Sequence, residues 1–226
     1  MQHADGRSGI DAALVKRLVA AQFPQWADLP VTPVKVEGWD NRTYHLGDEL
    51  SVRLPTHKAY EPAVEKEQRW LPVLAPHLPL PIPVPLGKGI PGEGYPYHWS
   101  INRWFHGETA NHERISDLNE FAVTLANFQI ALRNVDPAGG PLAGAHSFHR
   151  GAPPVFYDDE TRQAVKRLGD RIPGDRALAV WEAALAATYD GPPVWFHGDV
   201  AWGNLLVENG ALSAVTEHEA GFQRRS

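Results

Sequence analysis

Apolar residues recur at helical spacing over residues 10 to 22, where Ile10, Leu14, Leu18 and Val19 share one face and predict a short amphipathic helix. The period then changes. Val31 to Val36 alternates apolar with polar, a turn follows at Glu37-Gly38-Trp39-Asp40-Asn41, and Thr43 to Leu46 resumes as strand. Gly47-Asp48 signals a hairpin, so Leu50 to Leu54 is a third antiparallel strand. From Pro62 to Ala75 the residues Val64, Leu71, Leu74 and Ala75 mark a helical face, with Pro72 placed to kink or end the helix early. Glu67 lies on that face, whereas Glu65 points away to solvent. A carboxylate facing a core needs a cationic partner, and Arg53 on the third strand is the candidate.

Prolines and glycines crowd residues 76 to 96, which therefore read as an extended connector with an edge strand. Tyr97 to Phe105 is an aromatic-rich strand whose Trp99, Trp104 and Phe105 read as core packing rather than a stacking platform. A helical stripe of Leu118, Phe121, Ala122, Leu125, Phe128 and Leu132 predicts a helix over 116–134, stopped by Pro137 and Gly139-Gly140. A surface loop through Pro154 carries His146 and His149, which lack a third metal ligand and read as packing or substrate contacts. Helices near 158–169 and 175–188 follow, then a strand at Val194 to Phe196. Two further strands, Asn204 to Val207 and Leu212 to Val215, flank a turn at Glu208-Asn209-Gly210.

Strands first and helices afterwards make an α+β chain. At 226 residues and 43% hydrophobic it can bury a sizeable core as one large domain or two lobes. The absence of cysteine removes disulfides and thiolate metal sites. No apolar run is long enough to span a membrane, and MQHADGRSG lacks the apolar core of a signal peptide, so a soluble cytoplasmic protein is expected. A net charge of -6, from 27 acidic and 21 basic side chains mixed along the chain, argues against nucleic acid as a partner and is compatible with a cationic small molecule.

The chemistry is concentrated in His197-Gly198-Asp199-Val200-Ala201-Trp202-Gly203-Asn204. Catalytic loops of the kinase type set an aspartate and an asparagine at this spacing, one to accept a hydroxyl proton and one to hold magnesium, because both must converge on one phosphoryl group. The same residues also suit a plain turn. From His197 to Val215, and more loosely from about residue 10 onward, the chain resembles the aminoglycoside phosphotransferase family, small kinases related in fold to protein kinases. The resemblance implies a bilobal kinase-like fold: a small antiparallel-sheet N-lobe over residues 1–104 and a mainly helical C-lobe over 105–226. It implies ATP and Mg2+ as cofactors and a small hydroxylated molecule as acceptor. Asp199 would be the catalytic base, His197 a prop for the loop, and Asn204 a magnesium ligand. Arg53 would take the place of the phosphate-contacting strand lysine, oriented by Glu67. Gly38 and Asn41 would lie in the turn over the phosphates, and Asn102 and Trp104 in the hinge that meets the adenine edge.

After Val215 the resemblance ends. Related kinases continue with an Ile-Asp-Phe-Gly-like segment and several helices, whereas this chain reads Thr216-Glu217-His218-Glu219-Ala220 and six residues more. Glu217 falls where the family has its principal magnesium-binding aspartate, and the expectation is a truncated C-lobe. An active phosphotransferase, an impaired relative that only binds nucleotide, and an interaction module are the three readings these residues leave open.

Overall fold

The structure, a computed structural model, describes residues 9–35, 40–144, 147–216 and, by backbone alone, 221–222. Gly38, His146 and Glu217 lie outside the described residues. Two compact units emerge: residues 1–132 with 199–219, and residues 133–198 with 220–226. The lobe boundary expected at residue 104 falls inside the first unit.

The first unit opens with α1 (Ala12–Gln22), started by Asp11, whose carboxylate accepts the Leu14 N–H at 2.7 Å. Five strands follow as one antiparallel sheet: β1 (Val31–Pro33), β2 (Asn41–Leu46), β3 (Leu50–Pro55), β4 (Pro85–Gly89) and β5 (Trp99–Arg103), in the order β1-β2-β3-β5-β4. The proline-rich segment thus supplies an edge strand, where a residue without an N–H costs no ladder bond. Alternation sorts the side chains of β3 and β5. Val52, Leu54, Trp99 and Ile101 pack with Leu14, Val15, Leu18 and Val19 of α1 into the core. Ser51, Arg53, Ser100 and Asn102, one residue out of phase, point to the opposite face. Gly89 stands beside Trp99 in register, where an added Cβ would meet the indole at 1.9 Å, so glycine alone fits there.

That opposite face is covered by α2 (Glu61–Leu74), which buries Val64, Leu71 and Leu74. Pro72 does not end the helix early; the helix continues to Leu74, two residues further on. Gln68 ties the helix to the sheet by donating to the Gly87 carbonyl at 3.0 Å and to Ser100 Oγ at 3.2 Å. Glu65 is exposed, as expected, and pairs with Lys88 of β4. Glu61 anchors the start of α2 to β5's entry: its Oε1 accepts the His98 main-chain N–H at 2.9 Å and lies 2.8 Å from the ring Nδ1. The main-chain bond, then the ring, hold the Glu61 carboxyl below its ordinary value of 4.5. A depressed pKa means stabilisation that is present above 4.5 and lost as pH falls through the lowered value. Glu61→Gln should therefore lower stability by about 0.5–1 kcal/mol at neutral pH. In melting curves across pH, the gap to wild type should close under acid conditions; a gap independent of pH would show that the charge is not what matters.

After β5 the chain forms β6 (Glu108–Thr109) and α3 (Leu118–Arg133), which buries Phe121, Phe128 and Leu132. The first unit is completed by β8 (Leu205–Glu208) and β9 (Ala211–Val215), a hairpin closed by Asn209 and Gly210 at φ 53° and 83°. Both central residues having positive φ is the geometry that matches strand twist in a two-residue turn. β6 joins this hairpin as Thr109 pairs with Leu206, a strand the sequence pattern did not indicate.

In the second unit, α4 (Asp158–Leu168) packs on α5 (Gly174–Ala186), with Asp158 accepting from Trp181 Nε1 at 2.7 Å and from Arg162 Nε at 2.8 Å. β7 (Trp195–Phe196) pairs with β10 (Gly221–Phe222). Trp195 is buried and donates from Nε1 to the Asp136 carbonyl at 3.1 Å. No described helix is long and apolar enough to cross a membrane.

Candidate active site

Within the first unit, the polar face of the sheet and the loop before β8 enclose a cavity of about 300 Å³, the lower end of the range for small-molecule sites. Arg53 reaches it from β3, Asn102 from β5, Trp104 from the chain just after β5, and Asn204 from the loop. Arg53 Nη1 lies 3.5 Å from Glu67 Oε2, with the two side chains only 15% and 13% exposed. The partner that the buried face of α2 demanded is therefore the strand arginine. Strand period explains its neighbours: Ser51, two residues before Arg53, also lines the cavity, and Thr43 lies opposite Arg53 in register. Ser51 could have been found from the alternation. Thr43 needed the strand pairing.

The loop is held by its own backbone. The Asp199 carbonyl accepts the Ala201 N–H at 2.9 Å and the Asn204 Nδ2 at 3.0 Å, and the Ala201 carbonyl accepts the Asn204 N–H at 3.0 Å. Asn204 is buried, and with Nδ2 committed to Asp199 its Oδ1 is the atom left to face a ligand in the cavity it lines. An amide oxygen is a hard donor of the kind magnesium takes, so Asn204 fits the ion expected there. Among the described residues no cluster of three or more His, Asp or Glu forms a metal site. The Thr216 N–H donates to the Asn204 carbonyl at 2.8 Å, tying the end of β9 to the loop. Glu217, next in sequence, lies outside the described residues. Trp202 stacks near Phe121 of α3, ring centroids 6.2 Å apart, and His112 lies 5.1 Å from it.

Asp199 is half-buried and does not itself line the cavity; it is linked to it through Asn204. His197 is buried in the second unit. Asn41 begins β2 opposite Pro55 and does not line the cavity. Trp99 is core, as expected. Trp104 and Phe105 are not: both are half-buried in the cavity wall, with Trp104 set edge-on to His45 at 4.2 Å. They lie beyond the end of β5, where strand alternation no longer turns an aromatic ring into the core. His149 stacks on Phe156 at 3.5 Å, a packing contact.

Asn102, which the resemblance sets at the hinge, lies in the cavity wall. Its side chain is 1% exposed, yet neither Oδ1 nor Nδ2 has a hydrogen-bond partner. Orphaned buried polar groups cost about 1–3 kcal/mol each, and the sequence carried no sign of this one.

A five-stranded antiparallel sheet, a strand arginine paired to the helix across it, and an aspartate–asparagine loop below define a kinase-like phosphotransferase. The chain belongs to the phosphotransferase enzyme family, whose pattern matches residues 31–215. No curated protein matches it. Solved structures with the same fold include wild-type aminoglycoside 2'-phosphotransferase-IIIa in complex with GDP, at 17% identity and a TM-score of 0.76, covering 94% of this chain and 74% of that one. Macrolide 2'-phosphotransferase MphH from Brachybacterium faecium is 22% identical with a TM-score of 0.56, covering 94% of this chain and 73% of that one. The streptomycin–ATP complex of APH(2")-IIa is 14% identical with a TM-score of 0.60, covering 95% and 72%. At these identities the likeness establishes the fold, the α+β kinase-like class with an antiparallel-sheet N-lobe.

Proposed function

We propose that this protein transfers the γ-phosphoryl group of ATP to a hydroxyl of a small molecule of the aminoglycoside or macrolide kind. The observation that carries the reading is the Arg53–Glu67 pair, set at 3.5 Å beside a cavity that Asn204 also lines. A guanidinium with one edge held by a carboxylate keeps its remaining N–H donors in a fixed plane, suited to phosphate oxygens. Trp104 and Phe105 give the same cavity an apolar wall for a flat base.

In the reaction, the acceptor hydroxyl oxygen forms a bond to the γ-phosphorus as the bond to the bridging oxygen breaks, ADP leaves, and the Asp199 carboxylate takes the hydroxyl proton. Asn204, with Glu217 as the second ligand expected from the sequence, would hold magnesium, which when bound would neutralise charge developing on the phosphates. Gly38 would lie in the turn over the phosphates, and Asn41 opens the strand that follows it. The -6 charge suits a cationic acceptor, and complexes with kanamycin and gentamicin of related fold support that choice.

The test is ADP formation with ATP and magnesium over a panel of aminoglycosides and macrolides, alongside melting curves with nucleotide. Acceptor-dependent ADP release supports the reading. Stabilisation by ATP without turnover on any hydroxylated acceptor would favour the nucleotide-binding relative instead, and no stabilisation at saturating ATP would discard a nucleotide site.

A further inference from the structure

The loop that begins at Asp199 has two sides. Gly203 and Asn204 line the cavity, whereas Val200, Ala201 and Trp202 do not line it and stand exposed. Tryptophan is highly buried on average, yet Trp202 is 47% exposed and Val200 48%. The indole is nonetheless held: Phe121 of α3 stacks on it at 30° with ring centroids 6.2 Å apart, and His112 lies 5.1 Å away at 56°. Phe121 is buried and so backs the indole from the protein side. Asp199, Val200, Trp202, His112 and Phe121 all belong to the first unit. A nucleotide in the cavity leaves an acceptor to reach Asp199 from the exposed side of the loop. Three residues span at most about 10–11 Å, so an acceptor of two or three rings with its hydroxyl at Asp199 comes within reach of Trp202.

We propose that Trp202 is the docking face for the acceptor, and that it takes an amino sugar carried on an apolar body, the chemistry of a macrolide, in preference to a polycationic aminoglycoside. This rests on the phosphotransfer reading above and narrows its acceptor. A sugar lays its C–H face on an indole, and an ammonium on that sugar is drawn to the same ring. Glu113 and Glu120, exposed and next in the chain to His112 and Phe121, add negative charge for a single amine. Between Asp199 and Asn204 the side chains are only those of Val200, Ala201, Trp202 and Gly203. That stretch offers a polycation no second carboxylate beside the base, whereas an apolar body gains by covering Val200 and the indole.

The experiment measures ADP release and melting curves with a macrolide bearing one amino sugar and with kanamycin, for wild type, Trp202→Leu and Trp202→Phe. Leucine keeps an apolar contact for Phe121 without a flat face; phenylalanine keeps both. Wild type should have the lower KM for the macrolide. Trp202→Leu should raise that KM about 10-fold, the scale of one aromatic contact, and shrink the macrolide-induced melting shift while the shift from ATP stays. Trp202→Phe should remain within about 3-fold of wild type. Equal macrolide KM and equal shifts in wild type and Trp202→Leu, or a preference for kanamycin, would overturn the proposal and leave the phosphotransfer reading in place. A Trp202→Leu that does not fold would also overturn it, by making the indole a packing group. A Trp202-dependent macrolide shift without turnover would keep the docking face and remove the transfer. No ADP release and no melting shift with either acceptor would remove both.

Discussion

Asp199→Asn should lower the rate of acceptor phosphorylation by about 10²- to 10⁴-fold, the usual contribution of a positioned general base, while leaving ATP-dependent stabilisation in place. The loop gives the reason that binding survives. It is the Asp199 main-chain carbonyl, not its carboxylate, that accepts from Ala201 and from Asn204 Nδ2. Asparagine has the same shape, so those bonds persist and Asn204 keeps its place in the cavity wall. What is lost is the group that can take a proton from the attacking hydroxyl. The comparison is kcat for ADP release with a saturating acceptor, set against the melting shift produced by ATP and magnesium. Equal kcat in the two proteins would remove Asp199 as base; a lost melting shift would make it a binding residue.

Glu67→Gln should both destabilise the protein and raise KM for ATP. Removing one partner of a buried ion pair costs several kcal/mol, because the remaining charge stays desolvated. At 3.5 Å, with 15% and 13% of the side chains exposed, some solvent screening applies, so about 1–3 kcal/mol is the expected loss. For a chain of this size that is a fall of roughly 2–10 °C in melting temperature. The double variant Arg53→Met with Glu67→Leu separates structure from function, because replacing both partners with apolar groups often restores stability. It should melt near wild type and bind ATP poorly. A double variant that recovers both would reduce the pair to a packing device and take Arg53 out of the phosphate site.

The two pairs behind these predictions were legible in the chain to different degrees. Glu67 announced itself by falling on an apolar helical face, where burial cost demands a cation, and the family resemblance singled out Arg53 on the third strand as the candidate. Asp199 and Asn204 were legible as a spacing, which specifies what a loop can bring together but not what it faces. Elements with strong period, α1, α2, α3 and the β2–β3 hairpin, came out within a residue or two of their expected ends. Those with little period did not show: β6 is two residues long and exists only because β8 lies beside it. Trp104 and Phe105 line the cavity and not the core for a related reason. Aromatic side chains within a strand usually pack inward, but these two sit past its last paired residue, where the chain's path decides what they line.

By itself, the amino-acid sequence determined the class of fold, the family, the helix–strand ion pair and the residues suited to phosphoryl transfer, because these follow from periodicity, burial cost and local spacing. Only the tertiary structure decided which of them share a wall. Strand register set Ser51 against Asn102 and Thr43 against Arg53, and packing closed the space around the Asn102 amide without giving it a partner. Register and enclosure arise from contacts between residues far apart in the chain, so no local pattern encodes them.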